Sequence, residues 1–376
     1  MDLLYCTAAI AHASNLQHRH ARGSLLHPPP SLSLSLSLSP LLLLHFSPLP
    51  PQQTMAWPNN TRAAITLTFD NLGEAADLNR GLHPASSPLG THYSVHTILP
   101  RFLALAAKYH LHVTYFIEAW NLAVYPEAVR RVAEAGHEVG WHAWQHEAWG
   151  KECADEGVER GNFERSFQAM RGFVQAYGTE GKEERVEMYS GFRPPGGTIH
   201  GERTLKLCRE FGLGYISPAA ENAAVVALPS PNNNNNNTNN TTEEEKEGDK
   251  DDSIIVLPFR WRGVDAYYYM SSFSQLRELK GDLPSEPQPP SVLVEAFKRQ
   301  IDDAIQEGGF LSLLFHPFLH DDEGRVEAME TVLKYLAEQR DKGNIWIVPA
   351  REVEKYVRAN PGVLGSDPAW DESSWR

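Results

Sequence analysis

Residues 63–71 read Ala-Ala-Ile-Thr-Leu-Thr-Phe-Asp-Asn, an apolar and β-branched run that stops on a carboxylate. A strand covered on both faces carries such a near-continuous run, so this stretch reads as a parallel strand with a polar group at its carboxyl end. Gly309-Phe310-Leu311-Ser312-Leu313-Leu314-Phe315 has the same character and stops on His316-Pro317. Working outward, similar runs are expected as strands at 63–70, 112–118, 137–142, 189–194, 213–217, 253–259, 310–316 and 344–349. Amphipathic stretches separate them: Ile98, Phe102, Leu105 and Tyr109 share one helical face within 97–109, and Val326, Met329, Leu333 and Leu336 repeat that spacing. Strands alternating with helices indicate crossover connections and an α/β fold. Seven or eight such units suit a distorted (β/α) barrel better than an open sheet.

The chain has 376 residues, enough for two domains, yet a single barrel of about 250 residues accounts for the whole pattern. Residues 1–54 combine a His-rich start, the Pro run Pro28–Pro30 and a Ser-Leu repeat, a composition that cannot pack a core and is expected to be disordered. Such a leader lacks the basic start and compact apolar region of a secretory signal, and Met55, directly before the first orderly segment, is an alternative start. The barrel is expected over 55–358. Residues 229–252, with six consecutive Asn and then a charged run, form a solvated insertion, and 359–376 form a loose tail.

A net charge of -14 disfavours nucleic acid, which must be held through its phosphates by clustered Lys and Arg. No stretch supplies the roughly 18 apolar residues of a spanning helix, so no membrane span is expected. The three cysteines, Cys6, Cys153 and Cys208, have neither metal-knuckle spacing nor the density of a disulfide framework. They fit a reducing compartment, so a cytoplasmic location is expected, with secretion as the alternative; sequons such as Asn239-Asn240-Thr241 would matter only there.

Four polar clusters fall where the expected strands end: TFDN at 68–71, HAWQH at 142–146, FRPPGG at 192–197 and LLFHP at 313–317. In a (β/α) barrel those ends converge on one face, which makes residues far apart in sequence neighbours. Each cluster alone is weaker. With 16 histidines, about one pair at i, i+4 arises from composition. There are three, His92/His96, His142/His146 and His316/His320. Context favours His142/His146, since a buried strand delivers His142 to the barrel mouth and one further turn brings His146 to the same side, whereas His92/His96 precedes a helix as a packing pair. A carboxylate ending an apolar strand, as Asp70 does, is costly unless paired or catalytic, the ordinary alternative being a helix N-cap. Arg193 is its natural partner, or else a plain salt bridge, and Pro194-Pro195-Gly196-Gly197 stiffens the turn behind it.

Taken together, these clusters resemble the polysaccharide deacetylases of the NodB homology domain, carbohydrate esterase family four, over roughly Ala63 to Val357. The resemblance implies a NodB-like barrel and a metal-dependent hydrolase of non-peptide carbon–nitrogen bonds, acting by N-deacetylation of an amino sugar or polysaccharide. It implies Asp70 as catalytic base, Arg193 as the residue orienting it, His316 as catalytic acid and Asp265 as the acidic partner of His316. His142 and His146 match the metal-binding histidines, with a divalent ion such as Zn²⁺ as cofactor. Where the family usually reads TFDD this chain has Asn71, which removes one negative charge from the metal site; an amide oxygen still coordinates, with lower affinity, and Glu74 or Asp70 is available to compensate. Ala143 stands where the family usually has Ser or Thr, which removes a hydrogen-bonding group beside the metal or substrate.

The same layout resembles relatives that open cyclic amides, including allantoinase-like enzymes, so the expected partner is an amide-bearing sugar or a small cyclic amide, with a homo-oligomer also allowed. Trp141, Trp144, Trp149, Trp261 and Tyr267–Tyr269 lie near the motifs, where they could stack on sugar rings or serve as core packing. A non-catalytic carbohydrate-binding barrel that lost its metal through Asn71 is the rival from another class. Retention of Asp70, Arg193 and His316 argues against it, because binding alone needs no matched acid and base.

Overall fold

The structure is a computed structural model that describes residues 57–178, 186–228, 253–360 and 362–364. The expected leader over 1–54, the insertion over 229–252 and most of the tail over 359–376 lie outside the described residues. Nine strands are described: β1 Ala63–Asp70, β2 Thr114–Ile117, β3 Glu138–Trp141, β4 Gly191–Phe192, β5 Tyr215–Ile216, β6 Ala224–Ala227, β7 Ser253–Val256, β8 Gly309–Phe315 and β9 Ile345–Ile347. They form one sheet in the order β6-β7-β5-β4-β3-β2-β1-β8, and β9 pairs β1. β8 runs the length of β1 on one edge, while β2 and β9 pair its two ends, Asp70 facing Phe116 and Ala63 facing Ile345. All pairings are parallel except β6 with β7, which is antiparallel. All eight expected strands appear, most of them shortened, and β6 is an addition. The sheet curls into a distorted α/β barrel whose open side is narrowed by a parallel bridge from Val264 to Leu314.

Parallel strands need crossover helices, and long ones return between strands, among them Leu99–Lys108, Glu156–Tyr177, Pro290–Glu307 and Glu323–Asp341. A π-helical turn, Ser94–Ile98, leads into the first of these. β1 is buried at every position. Ile65, Leu67 and Phe69 point outward into the main core, where Phe69 meets Phe102 of the first long helix at 5.0 Å between ring centroids. The alternate residues Ala64, Thr66, Thr68 and Asp70 point into the barrel, following the two-residue period of a strand. Close approach inside the barrel requires glycine at Gly191, where an added Cβ would come within 1.9 Å of the Tyr215 ring.

Trp141, Trp149, Tyr267, Tyr268 and Tyr269 are buried, so these side chains are core and not a sugar-stacking surface. Trp141 lies among Phe163, Phe167, Phe192 and Trp149 at centroid separations of 4.5, 5.5, 4.3 and 5.7 Å. Trp144 and Trp261 are only partly covered.

Candidate functional site

The sheet register puts the carboxyl ends of β1, β3, β4 and β8 in one layer. Phe69 pairs Phe315, which sets Asp70 beside His316. Trp141 pairs Phe192, and the ladder continues as the Arg193 N–H donates to the Trp141 carbonyl at 2.9 Å. The His142 N–H donates to the Ile117 carbonyl at 3.0 Å. Strand pairing therefore brings together residues as distant in sequence as Asp70 and His316.

Arg193 fills the centre of this layer, 1% exposed. Its Nη1 donates to Asp70 Oδ1 at 2.9 Å and to Thr68 Oγ1 at 2.8 Å, while Nε and Nη2 donate to Ser217 Oγ at 3.2 and 3.0 Å. Nη2 also reaches Ser312 Oγ at 3.2 Å, and the guanidinium lies over the Phe116 ring, 4.2 Å from its centroid. Burial pulls the Arg193 pKa down and Asp70 opposes it. Such a buried pair is penalised by desolvation yet costly to break, about 3–5 kcal/mol when one partner is removed. One oxygen of Asp70 is thus fixed by the guanidinium, and Oδ2 is left facing His142.

His142 donates from Nδ1 to the Arg193 carbonyl at 2.7 Å, so its lone pair is on Nε2, 3.9 Å from Asp70 Oδ2. Burial lowers its pKa to about 4 and keeps the ring neutral, as a metal ligand must be. His146 is also held well below the usual histidine range, first by burial and then by Arg80, His142 and His316. The two rings lie 5.0 Å apart between centroids. A turn over residues 143–145 brings His146 back beside His142, with Ala143 and His146 at positive φ, +64° and +69°, and Asn71 in the neighbouring loop is likewise at +64°. Non-glycine residues in that region store strain, and three of them at one layer mark a site.

His316 donates from Nδ1 to Asp265 Oδ1 at 2.5 Å, and its backbone N–H donates to Asp265 Oδ2 at 2.7 Å. Burial works against charging the ring, but the Asp265 carboxylate more than offsets it and the His316 pKa is raised. Asp265 is fully buried and also accepts from the Ala266 N–H at 2.7 Å. His320, buried beneath, donates from Nδ1 to the His316 carbonyl at 2.9 Å and fixes the loop. His92 and His96 instead bond Ser94 Oγ and the Gly90 carbonyl, as a packing pair does.

Asn71 donates from Nδ2 to Glu118 Oε1 at 2.6 Å, and its backbone carbonyl accepts from the Tyr115 hydroxyl at 2.7 Å. Glu118 is fully buried, with its pKa pushed up to about 7 by burial. Glu74 is engaged elsewhere: its carboxylate accepts from the Gly90 N–H at 2.7 Å and from the Tyr125 hydroxyl, so it does not compensate for Asn71. Among the described residues no group of three His, Cys, Asp or Glu is placed to hold a metal ion. Beside the two histidines, the ligand expected from the sequence is Asn71, whose amide nitrogen donates to Glu118 so that its oxygen is the atom left to coordinate. Arg80 Nη2 lies 3.2 Å from His146 Nδ1, and since a guanidinium only donates, it occupies the lone pair of the neutral ring. A cation taking His146 displaces that bond. Two neutral imidazoles and an amide oxygen are chemically suited to a Zn²⁺-like ion, held more loosely than by a carboxylate set.

Sequence reasoning singled out Asp70, Asn71, His142, His146, Arg193, Asp265 and His316, and the structure brings all seven to this layer. It missed Glu118 and Arg80, and also Thr68, Ser217 and Ser312, the hydroxyls that hold Arg193. The two-residue period of β1 and β8 was the available signal for Thr68 and Ser312.

Fold and motif order define a NodB-type barrel. The polysaccharide deacetylase family model matches residues 58–216. Among curated proteins, a peptidoglycan deacetylase of Helicobacter pylori is 41% identical over 49 residues, 13% of this chain and 17% of that protein. The chain spans 37% of a second relative, from Geobacillus stearothermophilus, so both curated matches cover well under two thirds of the relative's length. A putative polysaccharide deacetylase from Mycobacterium smegmatis superposes with a TM-score of 0.61 at 22% identity, over 82% of this chain and 94% of that one. The Puue allantoinase structure gives 0.57 at 17% identity, over 86% and 99%. The motif-based resemblance is borne out to this extent: residues 58–216 match the polysaccharide deacetylase family model, and the fold is shared with the M. smegmatis protein.

Proposed function

We propose that the chain hydrolyses a carbon–nitrogen amide bond other than a peptide bond, removing the acetyl group from an acetylated amino sugar or polysaccharide with a divalent ion as cofactor. The carrying observation is a matched acid and base, each with its own buried partner, on adjacent strand ends: Asp70 on Arg193 and His316 on Asp265. Held by His142, His146 and Asn71, a divalent ion would supply Lewis acidity toward the amide carbonyl. Asp70 Oδ2, the oxygen not bonded to Arg193, takes the proton of the attacking water. His316, its Nδ1–H committed to Asp265, delivers a proton from Nε2 to the departing nitrogen. Arg193 restrains the base in its orientation, and Asp265 restrains the acid.

The test is a hydrolysis screen of acetylated chitooligosaccharides beside hydantoin, allantoin and succinimide, with Zn²⁺, Co²⁺ or Mn²⁺ supplied. Release of acetate supports deacetylation; opening of rings with no acetate release replaces it by cyclic-amide hydrolysis. Asp70→Asn and His316→Ala each abolish turnover with the fold intact, while metal content drops only in His142→Ala. Wild-type rates in either of the first two would sink the acid–base assignment.

A further inference from the structure

Asn71 offers a cation either its amide oxygen or its amide nitrogen, and only the oxygen can coordinate. What decides between them is the buried carboxylate of Glu118, whose Oε1 accepts from Asn71 Nδ2 at 2.6 Å. Its Oε2 accepts from the Leu72 N–H at 3.0 Å and from Asn121 Nδ2 at 3.0 Å. Three donors converge on two oxygens, an arrangement that a carboxylate satisfies and an amide cannot. Building on the metal reading above, we infer that Glu118 is a positioning residue: by holding the Asn71 amide nitrogen it leaves the amide oxygen as the atom offered to a cation.

The hydrogen-bond pattern makes the effect of exchanging the two groups specific. In Glu118→Gln the new amide keeps Leu72 and Asn121 with its oxygen, so its nitrogen faces Asn71 Nδ2. The Asn71 amide then flips, and its nitrogen replaces the oxygen at the cation site. In Asn71→Asp two carboxylates meet at the former 2.6 Å contact and must share a proton, so no charge is gained. The exchange of both, Asn71→Asp with Glu118→Gln, leaves every donor with an acceptor: the amide nitrogen introduced at position 118 donates to the carboxylate introduced at position 71.

The experiment titrates ZnCl2 calorimetrically into the full chain after chelator treatment, at about pH 8, with thermal unfolding followed by circular dichroism. Loss of an outer hydrogen-bond partner of a metal ligand costs about 10–100-fold in affinity, and at least tenfold weakening is expected in Glu118→Gln. Asn71→Asp alone gives no gain, whereas the same substitution on the Glu118→Gln background restores affinity to the wild-type level or beyond. A residue of merely structural importance would lower thermal stability without making the effect of Asn71→Asp depend on residue 118. Equal affinities for folded wild type and Glu118→Gln overturn the inference and leave the metal reading standing; if that variant fails to fold, a folded double variant that binds no Zn²⁺ does so. A wild type that takes up no Zn²⁺ overturns both.

Discussion

Asp265→Asn removes one charge and no volume from a fully buried position, which makes it a clean perturbation of His316. The carboxylate accepts from His316 Nδ1 at 2.5 Å, from the His316 N–H at 2.7 Å and from the Ala266 N–H at 2.7 Å. An asparagine has one oxygen for these donors, so at least one is left facing an amide nitrogen. The Asp265 carboxylate is what raises the His316 pKa against the effect of burial, and a hydrogen bond to a charged group contributes about 1.5–3 kcal/mol, so that pKa should fall in the variant. The direct assay is the imidazole C2–H chemical shift of His316 followed through pH in wild type and variant. The alkaline limb of kcat/KM should move acidward by the same amount, because the acid form is exhausted sooner. Stability supplies a second readout with a defined sign. A histidine whose folded pKa is raised stabilises fully below its unfolded pKa, and that contribution is lost as pH rises through the folded value. The stability deficit of Asp265→Asn should therefore be larger near pH 6 than near pH 9. An unchanged His316 titration curve would refute the coupling of the two residues.

Two further outcomes follow from contacts in the same layer. If His146 binds the proposed ion, Arg80→Met frees its lone pair and removes a positive charge beside it, so Zn²⁺ affinity measured by calorimetry should rise by about tenfold, given the strength of a charge-assisted bond. An unaltered affinity would mean that Arg80 does not compete with the ion. Gly191→Ala places a methyl group 1.9 Å from the Tyr215 ring, whose hydroxyl is itself held by Glu138 at 2.8 Å. Overpacking of this kind costs about 1–3 kcal/mol, and Tm by calorimetry should fall by several degrees.

The strands were legible because a parallel strand covered on both faces must be apolar throughout, and the polar residues that end such runs are conspicuous for the same reason. Asp70 closes a strand of eight residues and His316 follows one of seven. β6 was not legible: Ala224–Ala227 is four residues long, pairs antiparallel, and alternates in burial over too few positions to register. Glu118 escaped for a different reason. It directly follows the strand residues Thr-Tyr-Phe-Ile at 114–117 and looks like an ordinary polar strand end, and its role depends on Asn71 and Leu72, which lie 47 and 46 positions earlier. Spacing cannot reveal a partner chosen by register. The departure at position 71, read from the sequence as a plain loss of charge, is in the folded chain an amide whose nitrogen is held by the buried Glu118 side chain. An aspartate at 71 would face Glu118 across a buried contact, so the asparagine and the glutamate are two halves of one arrangement. Neither can be interpreted without the strand pairing that joins them.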